Sequence, residues 1–159
     1  MIRIFDTTTY SECAILKGHG LTITKLCWAE DDSFLVSVGR DRQWTIYETQ
    51  EWKVIKAMGK AHARIIWDVS VAPVEFGKVF VTGSRDKSVK IWGRENWECI
   101  STVKFSEAVT SCSFLHELVG DMVFVAVGLE NGKIYILGCE KGSEHFKIVE
   151  SLDDRYDLL

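Results

Sequence analysis

Apolar residues in this chain gather in short runs separated by clusters of polar turn residues. Positions 2–5 and 13–16 are two such runs, with the polar stretch Asp6 to Ser11 between them. After Gly18-His19 the runs come in fours. The first set is 23–28, 34–38, 44–47 and 52–55; the second is 66–71, 79–82, 89–92 and 99–103. The third is 109–114, 123–127, 134–137 and 146–149, and a polar tail, 151–159, closes the chain. Runs of this length bounded by turn residues predict antiparallel strands. No segment shows capped 3.6-residue periodicity, so no helix of useful length is expected.

The sets repeat at a fixed distance. Asp41 in GRDRQWTIY, Asp86 in SRDKSVKIW and Asn131 in LENGKIYIL fall 45 residues apart each time. A period of that size with four strands per unit is the mark of a repeat architecture, and four antiparallel strands make one blade of a β-propeller. The expected fold is all-β: about three and a half four-stranded blades, open rather than closed. Residues 1–17 form the last two strands of a half blade. Residues 18–57, 58–104 and 105–150 form three full blades, and 151–159 the tail. Single blades bury their faces only against neighbours. The reading is therefore an open segment of a larger propeller, or a chain that must associate to close.

The stretch Ala61 to Trp92 carries the fullest polar set, with His62, Thr82, Asp86 and Trp92 at matched points of one unit. The first unit offers His19, Ser37 and Asp41, with Tyr47 in the last place; the third keeps only Asn131, beside Val127 and Leu137. His, hydroxyl and carboxylate together resemble a hydrolytic triad. Recurrence in successive units argues instead for an internal frame, because a buried carboxylate needs hydrogen-bonding partners or costs several kcal/mol.

Composition narrows the function classes. The chain has 159 residues, 47% apolar and 26% charged, with a net charge of −4. That is ordinary globular composition and opposes a general polyanion-binding surface. No apolar run reaches the roughly 20 residues of a membrane-spanning helix. The N-terminus lacks a signal-peptide core, so an intracellular protein is expected, cytoplasmic or also nuclear. Five cysteines (13, 27, 99, 112 and 139) without a C-x-x-C pair read as buried, reduced strand thiols. His116 and His145 have no ligand set at zinc spacing, and neither metal nor cofactor is expected. GLENGK, residues 128–133, has the wrong spacing for a phosphate loop and reads as a hairpin turning at Asn131-Gly132.

The Gly-His, Ser/Thr, turn Asp and strand-ending Trp together resemble the WD-repeat family. In that family this set is a structural network, which implies the same role for His19, Ser37, Asp41, Tyr47, His62, Thr82, Asp86 and Trp92. The phrases TITKLCW, FLVSVGRDRQW, AHARIIWDVSVAP, VTGSRDKSVKIWG and AVGLENGKIYI go further and resemble the WD-repeat scaffold subunits of Elongator. The resemblance implies a non-catalytic scaffold in an assembly that modifies the wobble uridine, U34, of tRNA. The implied partners are the other Elongator subunits, namely the large propeller-solenoid subunit and the radical-enzyme acetyltransferase subunit. The alternatives are an interaction module of a different assembly, or a segment without independent function.

By the family pattern, the residue after the first apolar position of strand one faces the partner-binding rim, as does the residue before the turn acid. These are Thr24, Trp67 and Thr110, and Arg40, Arg85 and Glu130. Trp67 with Arg64, Arg85, Arg40 and Thr24 is the candidate contact set, since aromatic and Arg side chains dominate binding hot spots. A wider basic surface of Arg40, Arg42, Arg64, Arg85, Lys87, Lys90 and Arg94 would suit tRNA phosphates, but is read as secondary to protein contact.

Overall fold

Short alternating strands with tight turns leave the chain few options beyond a meander, and a succession of meanders is what forms. The computed structural model describes residues 1–115, 120–141, 143 and 145–152. β1 (Ile2–Phe5) and β2 (Glu12–Leu16) make a two-stranded sheet. β3 (Ile23–Trp28), β4 (Phe34–Gly39), β5 (Trp44–Glu48) and β6 (Val54–Met58) make the first four-stranded blade. β7 (Ile66–Val71), β8 (Val79–Ser84), β9 (Ser88–Gly93) and β10 (Cys99–Lys104) make the second. β11 (Val109–Phe114), β12 (Met122–Leu129), β13 (Ile134–Glu140) and β14 (Lys147–Leu152) make the third. Every pairing is antiparallel between consecutive strands, and the succession of blades stays open.

Several strand boundaries lie one to three residues from the sequence reading, and the shifts at β6 and β14 have a clear cause. β6 starts at Val54 because Trp52 sits at φ 60° in the preceding turn, its ring edge-on to Trp28 at 5.9 Å. β14 runs to Leu152, two residues into the segment assigned to the tail, because it pairs with β13 as far as Ile134. The remaining tail residues and His116 lie outside the described residues. A single 3-10 turn, Val74–Phe76, follows Pro73.

The turns show that the two-stranded sheet is the outer half of a blade. Tyr10, Trp52 and Trp97 all take left-handed backbone, φ 55°, 60° and 61°, between the third and fourth strands of their units. Tyr10 N bonds to Asp6 O as Trp97 N bonds to Gly93 O. A second recurrent turn joins strands two and three. Arg42 N, Lys87 N and Gly132 N donate to Gly39 O, Ser84 O and Leu129 O, with φ 66°, 68° and 86°. This is a type I turn followed by one left-handed residue, and only the third blade places glycine there. The Asn131-Gly132 hairpin is therefore as expected.

Alternation along each strand sends side chains to the two faces of its blade, and the cores lie between blades. Leu35 and Tyr47 pack toward the half blade with Ile2 and Leu16. From the same strands, Val36, Val38, Trp44 and Ile46 pack against Ile66, Val69, Phe80 and Trp92. Between blades two and three lie Val81, Val89 and Ile91 with Val109, Phe114, Val125 and Leu137. Trp44, Phe80, Trp92 and Trp97 form one aromatic cluster with ring centroids 5.3 to 6.4 Å apart. The third blade, whose Val127 and Leu137 are fully buried, is held by this apolar packing.

The cysteine expectation needs correction. All five are free, but Cys13 and Cys99 are exposed, because they sit on the outermost strands β2 and β10. Cys112 and Cys139 are buried, and burial pushes the Cys112 thiol well above its usual range.

Candidate interaction site

In blade two, His62 precedes β7, Thr82 lies mid-β8, Asp86 is in the turn and Trp92 is in β9. The fold draws the four into one chain of hydrogen bonds. The Trp92 indole N–H donates to Thr82 Oγ1 at 2.8 Å, and Thr82 Oγ1 lies 2.8 Å from His62 Nε2. His62 Nδ1 lies 2.9 Å from Asp86 Oδ2, which also accepts the Ala63 N–H at 2.9 Å. Asp86 Oδ1 accepts the Ser88 hydroxyl at 2.6 Å and the Ser88 N–H at 3.1 Å. Burial opposes ionisation of Asp86, yet these donors together outweigh it and hold the carboxyl well below its usual range. Burial also lowers the affinity of His62 for a proton. With Nδ1–H directed at the carboxylate, the neutral ring accepts the Thr82 hydroxyl at Nε2.

Blade one repeats the arrangement without its last link. His19 Nδ1 lies 3.0 Å from both Asp41 oxygens, and its Nε2 lies 2.6 Å from Ser37 Oγ. Tyr47 fills the Trp position but does not close the chain. Its buried hydroxyl stands near the Ser37 and Thr45 hydroxyls without a well-formed hydrogen bond, and lies against Gly18, where any β-carbon would collide with it. Burial pushes the phenol up. Asn131 of blade three accepts the Lys133 N–H and makes only a local turn.

The imidazole side chains of both units are wholly inaccessible, and Ser37 and Thr82 are fully buried. No substrate carbonyl can reach the hydroxyls. The sets therefore tie the segment before strand one to strand two and the turn, and the Trp of blade two extends the tie to strand three.

The rim carries the contact candidates. Arg40 N, Arg85 N and Glu130 N donate to Thr22 O, Ile65 O and Ala108 O, at 2.8 to 2.9 Å, so strand two ends beside the start of strand one in every blade. This brings Arg85 onto the same rim as Arg64 and Trp67. Thr24, Trp67 and Thr110 each sit in a β-bulge at the second residue of their strand. Thr24 and Thr110 donate their hydroxyls back to Val38 O at 3.2 Å and Gly128 O at 3.1 Å. Thr24 also reaches Ile66 O of the next blade at 2.6 Å. Half-buried on the rim, its hydroxyl ties blade one to blade two.

The seven-residue basic surface breaks up. Lys90 Nζ donates to Ala61 O and lies over the Trp92 ring. Arg94 is stacked on Phe34 near Asp31, and Lys87 bonds Ser106 O beside Glu107. Arg40, Arg42, Arg64 and Arg85 stay exposed, and among the described residues their guanidinium groups have no partner. No group of three metal-ligating side chains forms among the described residues.

Sequence reasoning missed the lateral ties between blades two and three. Asp68 Oδ2 accepts the Cys112 N–H at 2.9 Å, and Ser70 Oγ accepts the Phe114 N–H at 3.2 Å. These bonds satisfy the otherwise open edge of the innermost strand β11. Their only signal was polar residues at alternate positions of an otherwise apolar strand.

Comparison with known proteins places these features. The model of the WD domain, G-beta repeat, matches residues 10–48 and 53–93. Elongator complex protein 2 of Saccharomyces cerevisiae is 38% identical over 164 residues, covering 97% of this chain and 21% of the relative. Its namesake from Schizosaccharomyces pombe is 40% identical over 147 residues, covering 89% of this chain and 19% of the relative. The human protein of that name is 31% identical over 165 residues, covering 88% of this chain and 20% of the relative. The chain thus spans about a fifth of the length of these relatives. Among solved structures, the RRP9 WD40 repeats align with a TM-score of 0.75 at 20% identity, over 87% of this chain and 41% of that one. That likeness carries the fold alone.

Proposed function

The chain belongs to the WD40-repeat family, and we propose that it serves as a non-catalytic scaffold of the Elongator complex, supporting tRNA wobble-uridine modification through protein–protein contacts. The carrying observation is its 38% identity to Elongator complex protein 2 across 97% of its length. The burial of His62 and Thr82, with Asp86 half-buried beside them, supports the non-catalytic part. So do the exposed side chains of Arg40, Arg64 and Arg85 on the rim that also carries Trp67, which offer a contact surface rather than a reaction centre. The partners on this reading are the large propeller-solenoid subunit and the radical-enzyme acetyltransferase subunit, met in the cytoplasm and also the nucleus.

Affinity purification of the protein from its own cells, followed by mass spectrometry, tests the reading. Both subunits should be recovered. Their clean absence, with a different assembly recovered instead, favours a WD-repeat module of other allegiance.

A further inference from the structure

We propose that the cleft between blades two and three, beside the turns that join their third and fourth strands, holds an aromatic side chain of a partner segment with a basic residue next to it. The proposal rests on reading the chain as a protein-interaction scaffold and adds a contact point with a defined ligand chemistry.

The cleft has a volume of about 480 Å³, and both its walls are complete four-stranded blades. Phe76 of the 3-10 turn, Ile100 and Val123 give it an apolar lining.

Blades one and two meet in the same way, and there the matching space is full. Phe34 opens β4, the Trp97 ring stands edge-on to it at 6.4 Å, and the Arg94 guanidinium lies 4.4 Å from its ring centre. Strand pairing identifies the counterparts. Phe34 faces Glu48, Val79 faces Gly93 and Phe124 faces Gly138, so these three hold one position. Blades one and three carry phenylalanine there, and blade two carries valine. Arg94 follows Gly93 as Cys139 follows Gly138. Trp97 stands two residues before Cys99, which faces Trp92, and Phe146 stands two before Ile148, which faces Leu137. The Phe, Arg and Trp of the filled interface thus become Val79, Cys139 and Phe146, and all three line the cleft. Each is the smaller side chain. Cys139 also turns its thiol back to Ser143 O at 3.0 Å instead of across the gap. A gap of this kind forfeits dispersion contacts that an inserted ring restores.

The filled interface also shows which charge belongs beside the ring. Arg94 stacks on Phe34 with Asp31 Oδ2 4.0 Å away, an aromatic–cation–acid set. At the cleft only the acid is present. Glu140 is exposed on its wall, and among the described residues no ion pair forms to it. The cations nearby are engaged elsewhere: Lys78 Nζ lies 2.9 Å from Glu95, and Arg94 is held on Phe34. A partner that supplies a ring and, next to it, Arg or Lys completes the set, with the ring in the cleft and the cation against Glu140. A nucleobase is also flat, but its phosphates would meet Glu95 and Glu140 at the mouth.

Photo-cross-linking in the full-length protein tests this. A diazirine-bearing lysine analogue replaces Lys78 in the native cells, and the captured segment is sequenced by mass spectrometry. The expected product is a protein segment with Phe, Tyr or Trp beside Arg or Lys. Its yield should fall about tenfold when Val79→Phe fills the cleft, and about threefold in Glu140→Gln. Val79→Phe installs the residue of the other two blades and should melt no lower than wild type. Glu140→Gln alters an exposed side chain and gives a second reading that does not depend on repacking. A nucleic-acid cross-link, a segment without the aromatic–basic pair, no cross-link, or undiminished yield in folded Val79→Phe overturns the proposal. Recovery of Elongator subunits by the wild-type protein scores the scaffold reading separately, so their presence alongside any of these results refutes the cleft alone.

Discussion

Thr82 Oγ1 accepts the Trp92 indole N–H at 2.8 Å and stands 2.8 Å from His62 Nε2, so one hydroxyl joins the second and third strands of its blade to the segment before the first. In blade one Tyr47 stands where Trp92 does, and its hydroxyl lies near those of Ser37 and Thr45 without a well-formed hydrogen bond. The two positions therefore answer differently to the same truncation. Trp92→Phe removes a satisfied buried donor and should cost about 1–3 kcal/mol. Tyr47→Phe removes an unsatisfied one and should cost nothing, or stabilise by up to about 1 kcal/mol. Paired denaturant titrations measure the contrast.

Asp86 and Asn131 occupy the same place in successive blades but carry different burdens. Asp86→Ala leaves the N–H groups of His62, Ala63 and Ser88 without an acceptor, and should cost at least about 3 kcal/mol. Asn131→Ala loses one exposed turn bond and should cost under about 1 kcal/mol. Comparable losses at the two sites, read from melting temperatures, contradict the assignment of the network to blade two.

Acidification should weaken the fold in a defined window. Burial lowers the pKa of His62 in the folded state below its unfolded value of about 6.5. Below that pH the unfolded chain binds the proton first, so the contribution of His62 is complete above about pH 6.5 and is lost as pH falls through the lower folded value. Asp86, also depressed, adds a second loss below about pH 3.8. Melting curves from pH 8 to 5 should fall on the acid side, and His62→Gln should flatten that part of the slope.

The left-handed residues after the strand-two turn supply a stabilising change. Arg42 holds φ 66° where the third blade has Gly132 at φ 86°. Arg42→Gly relieves a strained backbone and should raise stability by about 0.5–1 kcal/mol, whereas Gly132→Ala should lower it by about 1 kcal/mol or more. Thermal denaturation of the two variants gives opposite signs if the turn is as described.

The blade succession was legible in the sequence because three signals coincide: strand length, the 45-residue return of Asp41, Asp86 and Asn131, and the histidines His19 and His62 opening two of the units. The internal network was legible for blade two, where all four side chains are present. At Tyr47 position alone does not show how well a phenol oxygen engages the Ser37 hydroxyl that an indole N–H would reach. The bonds of Thr24 are illegible in the sequence for a related reason. Its place on the rim follows from register, but the acceptors of its hydroxyl, Val38 O and Ile66 O, come from another strand and another blade. The Asp68 and Ser70 ties are likewise properties of inter-blade distance.

On the proposed function, this chain holds together an assembly that modifies wobble uridine. Nucleoside mass spectrometry of tRNA from cells lacking the gene tests this. The account predicts that the wobble-uridine modification disappears and returns with the wild-type gene. Unchanged modification in the deletion strain would contradict it.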